Sequence, residues 1–189
     1  MTAVLVSGKE SLIAEVRPVL RARGAAVTEV PDRDDIPAVC AAAGAQAFDS
    51  YLQLPANFEV RGATAVRRVH HFYAKGVLAR FTALAAVLPS LIPGARLTFV
   101  LGQLPPEAAT SNDRAARRAL TRVLAQAALA DMPDGRLIVR VLNAGTSAEE
   151  IGLVALGEHT ANQELTDHLS QLSYADWRVE LLGLASVET

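Results

Sequence analysis

The chain has 189 residues, 51% hydrophobic and 20% charged, with a formal net charge of −2. This length suits one domain with a substantial core, and the composition excludes an intrinsically disordered chain. The charge balance leaves no basic footprint for nucleic acid, and one cysteine excludes an internal disulfide.

Residues 3–7 (Ala-Val-Leu-Val-Ser) are a short apolar run, the pattern of a central strand buried on both faces. The run turns polar at Ser7-Gly8-Lys9-Glu10. It is too short for a signal-peptide core or a membrane span, so the expected compartment is cytoplasmic. Leu12, Ile13, Val16, Val19 and Leu20 then share one helix face. Pro18 should kink that helix and Gly24 should end it. Residues 25–30 read as a second strand and Pro31 to Asp35 as a polar turn. Residues 36–43 read as a short helix, with Pro37 tolerated in its first turn and Cys40 as a small apolar packing residue. Residues 47–54 are a third strand stopped by Pro55, and residues 56–66 a loop.

Val69 to Leu88 reads as a long helix. Val69, Phe72, Tyr73, Val77, Phe81, Leu84 and Leu88 recur mostly at spacings of three and four, and Leu78, Ala85 and Val87 widen the stripe. So broad an apolar surface predicts cover on two sides. Leu88-Pro89 should stop the helix and Pro93-Gly94 should make a tight turn into a buried fourth strand, residues 97–101. A second amphipathic helix follows over 113–130, then a fifth strand over 137–142. The segment after it looks reduced, with a weaker helix at about 161–172 and an edge strand over 177–184. Strands alternating with helices predict a single α/β domain over residues 1–189. It should be a three-layer, mostly parallel sheet of about six strands with helices on both faces.

In this order the elements resemble the short-chain dehydrogenase/reductase superfamily, whose fold is Rossmann-like. Phe72 to Leu101 is similar to that family's long helix, turn and strand, through Leu88-Pro89 and the run Gly94 to Val100. Residues 117–125 are similar to the helix after the family's active-site tyrosine, and residues 139–146 resemble its sixth strand and "PG…T" end. The resemblance implies that the family's third strand is missing here. The sheet should then run 2-1-3-4-5-6 in this chain's own numbering.

The motifs of chemistry do not carry over. Against the family's TGxxxGxG phosphate loop stand Ser7-Gly8-Lys9-Glu10-Ser11-Leu12-Ile13-Ala14. Its second glycine falls on Leu12 and its third on Ala14. Glycine there lets a backbone approach a pyrophosphate, whereas Leu12 puts a side chain in the way. The family's NNAG falls on Gln53-Leu54-Pro55-Ala56, its catalytic asparagine near Gly76 and its serine on Gly102. The Tyr-x-x-x-Lys pair falls on Thr110 and Arg114, and a threonine hydroxyl does not ionise near neutral pH. Tyr51, Tyr73 and Tyr174 lie in the wrong elements to replace the tyrosine. The resemblance therefore implies a degenerate member lacking the glycine-rich loop and the catalytic tetrad. Its candidate cofactor contacts are Ser7, Gly8, Lys9 and Arg114. No catalytic residue and no metal site are expected. His70 and His71, about 100° apart on a helix, cannot readily chelate one ion.

The expected function is non-catalytic association, as a homodimer or as a structural subunit beside an active relative. In the family, the helices matching 69–88 and 113–130 pair across a two-fold axis. The partner-facing surface is expected through Phe72, Ala79, Ala83 and Ala86. On this reading no cofactor is expected, and neither is nucleic acid or a membrane. Two alternatives stand. One is an NAD(P)-dependent oxidoreductase with atypical cofactor binding. The other is a small-molecule-binding module using the crevice near Gly8, Pro55 and Gly102.

Overall fold

The structure is a computed structural model and describes residues 1–56, 59–102, 111–132 and 137–158. Five strands make one parallel sheet: β1 (Ala3–Ser7), β2 (Ala26–Val30), β3 (Phe48–Gln53), β4 (Leu91–Val100) and β5 (Ile138–Leu142). Their order is β2-β1-β3-β4-β5. Helices α1 (Glu10–Ala22) and α6 (Ala148–Leu156) cover one face. Helices α2 (Ile36–Ala43), α4 (Ala79–Val87) and α5 (Ser111–Asp131) cover the other. This is the three-layer Rossmann-like architecture expected. No strand lies beyond β2 among the described residues, as the loss of the family's third strand predicts. The helix and strand expected at 161–172 and 177–184 lie outside the described residues.

Period-two alternation along each strand feeds two cores. Val4 and Val6 pack with Ile13, Val16 and Leu20 of α1 and with Ile151 and Val154 of α6. Leu5, between them, joins Tyr51, Leu97 and Phe99 under Leu84, Val87 and Leu124. Helix α1 runs on through Pro18. Pro18 and Ala14, whose carbonyl loses its helical donor, are both exposed, so water can satisfy that carbonyl.

Three expectations need correction. First, Pro93-Gly94 is not a turn before the fourth strand, because β4 starts at Leu91 and runs through it. Phe48 pairs with Leu91 and Ser50 with Arg96, so β4 carries extra residues opposite β3. Gly94, at φ +84°, absorbs them as a bulge. Second, the long helix does not begin at Val69. It begins with α3 (Ala65–His71), where the Thr64 hydroxyl accepts from the Arg67 amide at 3.3 Å. It passes through a π-helical turn (Phe72–Leu78) into α4.

Third, a helix not expected at this point, α6, follows β5. Ser147 caps α6 by accepting from the Glu150 amide at 3.2 Å, and Gly157, in left-handed geometry, ends it. A Cβ on Gly152 would lie 2.7 Å from Val19 Cγ1, so α6 and α1 meet at close range. The Ser50 hydroxyl donates to the Ala155 carbonyl at 2.9 Å and ties α6 to β3.

The outer surface of the long helix also differs from expectation. Ala83 is buried in the core, and Ala86 packs against it. The large apolar side chains left exposed are Val66 (79%), Val69 (56%) and Leu78 (49%). Ala65–Ser90 is long and apolar enough to cross a membrane by length and composition, although its C-terminal part supplies Leu84, Val87 and Leu88 to the core.

Candidate functional site

The winding of the sheet reverses between β1 and β3. From β1 the chain steps outward to β2, then returns to β3 on the other side of β1. In such sheets a ligand crevice forms beyond the carboxyl ends of the two strands. Here those ends supply Ser7, Gly8 and Lys9 from β1 and Gln53, Leu54 and Pro55 from β3.

The structure brings Ser7, Gly8 and Lys9 together, but against β3 rather than around an open cradle. The Leu54 amide donates to the Ser7 carbonyl, and the Lys9 amide donates to the Pro55 carbonyl, both at 2.8 Å. Gly8 sits at φ +131°, and a Cβ on it would lie 2.7 Å from the Leu54 carbonyl oxygen. Only glycine fits there. The reason is the neighbouring strand and not an approaching phosphate.

The half-buried Leu12 packs against the α1/α6 core, and Glu10 places a carboxylate at the positive end of α1. The Lys9 side chain is exposed. Arg114 lies on α5, with its side chain outside the described residues, as is Thr110. Gly76 lies in the π-helical turn and Gly102 just past β4, so neither position offers a reacting side chain.

Beneath these strand ends lies a buried polar cluster. The Ser7 hydroxyl meets the Tyr51 hydroxyl at 2.8 Å, and Gln53 Nε2 donates to the same oxygen at 3.1 Å. All three side chains are buried. Burial pushes the Tyr51 phenol up from its ordinary pKa. Hydrogen bonds from Ser7 and Gln53 and the charges of Arg80 and Arg33 oppose that shift without cancelling it. Tyr51 is thus a neutral phenol at physiological pH. Gln53 Oε1 is buried without a partner. Tyr51 and Gln53 alternate on one strand face, a signal already present in the sequence. Cys40 is buried as expected, and burial pushes its thiol up, against a hydrogen bond from Ser90. That is the wrong direction for a reactive thiolate.

A second feature was not foreseen. A cleft of about 850 Å³ separates the β2–α2 connection from the helical stretch around the π turn. Arg33, Arg61, His71 and Lys75 line it with Leu78 and Ala79. Arg33 Nη2 donates to the Lys75 carbonyl at 2.9 Å, while Arg33 Nη1 is buried and has no partner. No group of three or more metal-ligating side chains occurs among the described residues.

No protein-family model matches the chain. No curated protein matches its sequence either. Solved structures do match its fold. The protein lin1944 from Listeria innocua aligns with a TM-score of 0.59 at 14% identity, over 86% of this chain and 96% of that one. BdcA (YjgI) from E. coli aligns with a TM-score of 0.52 at 17% identity, over 84% of this chain and 90% of that one. A crystal structure of BdcA in complex with NADPH gives 0.48 at 16% identity, over 74% and 68%. At these identities the likeness is one of fold.

Proposed function

We propose that the chain acts by association. It is a non-catalytic, short-chain-dehydrogenase-like module whose long helix and α5 pair with a second copy of the chain. One observation carries this reading. Ala65–Ser90 is apolar enough to pass for a membrane span, yet only 24% of its most apolar stretch is buried, and Val66, Val69 and Leu78 face outward. Exposed apolar side chains along one helix call for a cover.

Sedimentation velocity at micromolar concentration tests the proposal. A dimer is expected, and Val69→Asp combined with Leu78→Asp should shift it to monomer with an unchanged circular-dichroism spectrum. A wild-type monomer with no co-purifying relative overturns the reading. A co-purifying relative would replace the second copy with a heteromeric partner.

An NAD(P)-dependent oxidoreductase is the competing class, and NADPH, the ligand crystallised with BdcA, is the probe for it. Fluorescence titration with NADPH and NADH is expected to show no saturable binding that depends on Lys9 or Arg114. Saturation at micromolar cofactor, lost in Lys9→Gln or Arg114→Gln, would favour the oxidoreductase.

A further inference from the structure

The cleft beside the π-helical turn shares Leu78 with the face assigned to association, but its charged residues have no part in that reading. We propose that it binds a small molecule with an apolar body and a single anionic group, a phosphate or a carboxylate, held by Arg33.

Arg33 carries the argument. It follows β2 in a short 3-10 turn (Arg33–Asp35) at the mouth of the cleft. It makes no ion pair among the described residues. One terminal nitrogen, Nη2, is fixed on the Lys75 carbonyl, and the other, Nη1, is buried without an acceptor. A charged donor left unmatched in a buried position is costly, so its persistence calls for an acceptor from outside the chain. The bond to Lys75 holds the guanidinium in place. Rotation about its Cδ–Nε bond, which exchanges the Lys75 carbonyl for an oxygen of the bound anion, would present the guanidinium to the cleft.

Asp32, Asp34 and Glu59 also line the cleft, but none forms an ion pair with Arg33: Asp32 accepts from the Asp34 amide at 3.0 Å, and Glu59 pairs with Arg61 at 3.2 Å. The volume of about 850 Å³ is that of a small-molecule site. Leu78, Ala79 and Ala83 give it an apolar wall, which suits a ring or short acyl body over a bare ion.

Phenyl phosphate, benzoate and inorganic phosphate are the probes, read by isothermal calorimetry and by thermal shift. Phenyl phosphate or benzoate should bind more tightly than inorganic phosphate, and whichever binds more tightly identifies the anion. Arg33→Gln should weaken that binding at least tenfold, because a charge-assisted hydrogen bond is lost. Ala79→Phe should weaken it to a similar extent by filling the apolar wall while leaving Arg33 in place. Lys9→Gln, at the switch-point crevice, should leave it unchanged. Absence of saturable binding by either organic anion at millimolar concentration overturns the proposal, as does binding indifferent to both Arg33→Gln and Ala79→Phe. Neither result bears on the sedimentation test of association.

Discussion

Replacing Gly8 with alanine tests whether the switch-point crevice is closed in solution. At φ +131° an alanine occupies backbone space that L residues rarely adopt, at a cost of about 1–3 kcal/mol. The new methyl would also lie 2.7 Å from the Leu54 carbonyl oxygen and 2.8 Å from Leu54 Cβ. Both atoms belong to a segment held by the Leu54–Ser7 hydrogen bond, so the end of β3 must shift. Forced overpacking of this kind adds about 1–3 kcal/mol.

A loss of roughly 3–5 kcal/mol is expected, which lowers Tm by about 10–15 °C for a chain of this size. Gly24→Ala is the matched control. Its φ of +75° is also left-handed, but a Cβ there meets nothing within 4 Å. It should cost only about 1–2 kcal/mol. Both substitutions stiffen the unfolded chain to a similar degree, so that contribution cancels in the comparison. Urea denaturation of the three proteins, followed by circular dichroism, measures the difference. If Gly8→Ala costs no more than Gly24→Ala, the two loops are not in contact and the crevice is open.

The remaining predictions probe the elements around that crevice. Tyr51 has a raised folded pKa, so its contribution to stability is complete below the unfolded value of about 10 and is lost as pH rises above it. In a Cys40→Ala background, which removes the other raised acid among the described residues, Tyr51→Phe should flatten the alkaline decline in stability. It should also cost about 1–3 kcal/mol at neutral pH as Ser7 and Gln53 lose their partner. An equally steep decline in the variant refutes this assignment. Ser50→Ala should cost about 1–2 kcal/mol and speed amide exchange in α6 relative to α4, because the Ala155 carbonyl loses its buried donor. Unchanged exchange in α6 would show that the Ser50–Ala155 bond does not hold it.

Period and punctuation were enough to place β1, α1, β2, α2 and β3, because each carries its own apolar pattern and its own Gly or Pro stop. They failed at β4. Pro93-Gly94 has turn chemistry, but parallel pairing with β3 on both sides of it makes the same residues a bulge inside one strand. Helix α6 had a readable start, Ser147 with Glu150 three residues on, and a readable stop at Gly157. It was overlooked because Ile151, Gly152, Val154 and Ala155 are all buried, so the short helix shows no clear polar face. The face expected through Phe72, Ala79, Ala83 and Ala86 is not a single exposed face for a related reason: Ala83 is buried in the core, and the π-helical turn takes Phe72 out of the helical period of α4.

The site was legible in its substitutions and illegible in its closure. Leu12 and Glu10 in the β1–α1 segment could be read directly. What the sequence does not contain is the answer to where the loop's backbone donors then go. Every buried amide needs an acceptor. At Lys9 that acceptor is the Pro55 carbonyl, forty-six residues away and brought alongside only because β3 pairs with β1. The β1–α1 loop thus satisfies its Lys9 donor on the neighbouring strand, and Gly8 is the residue that lets the two backbones come this close, since any Cβ there would meet Leu54.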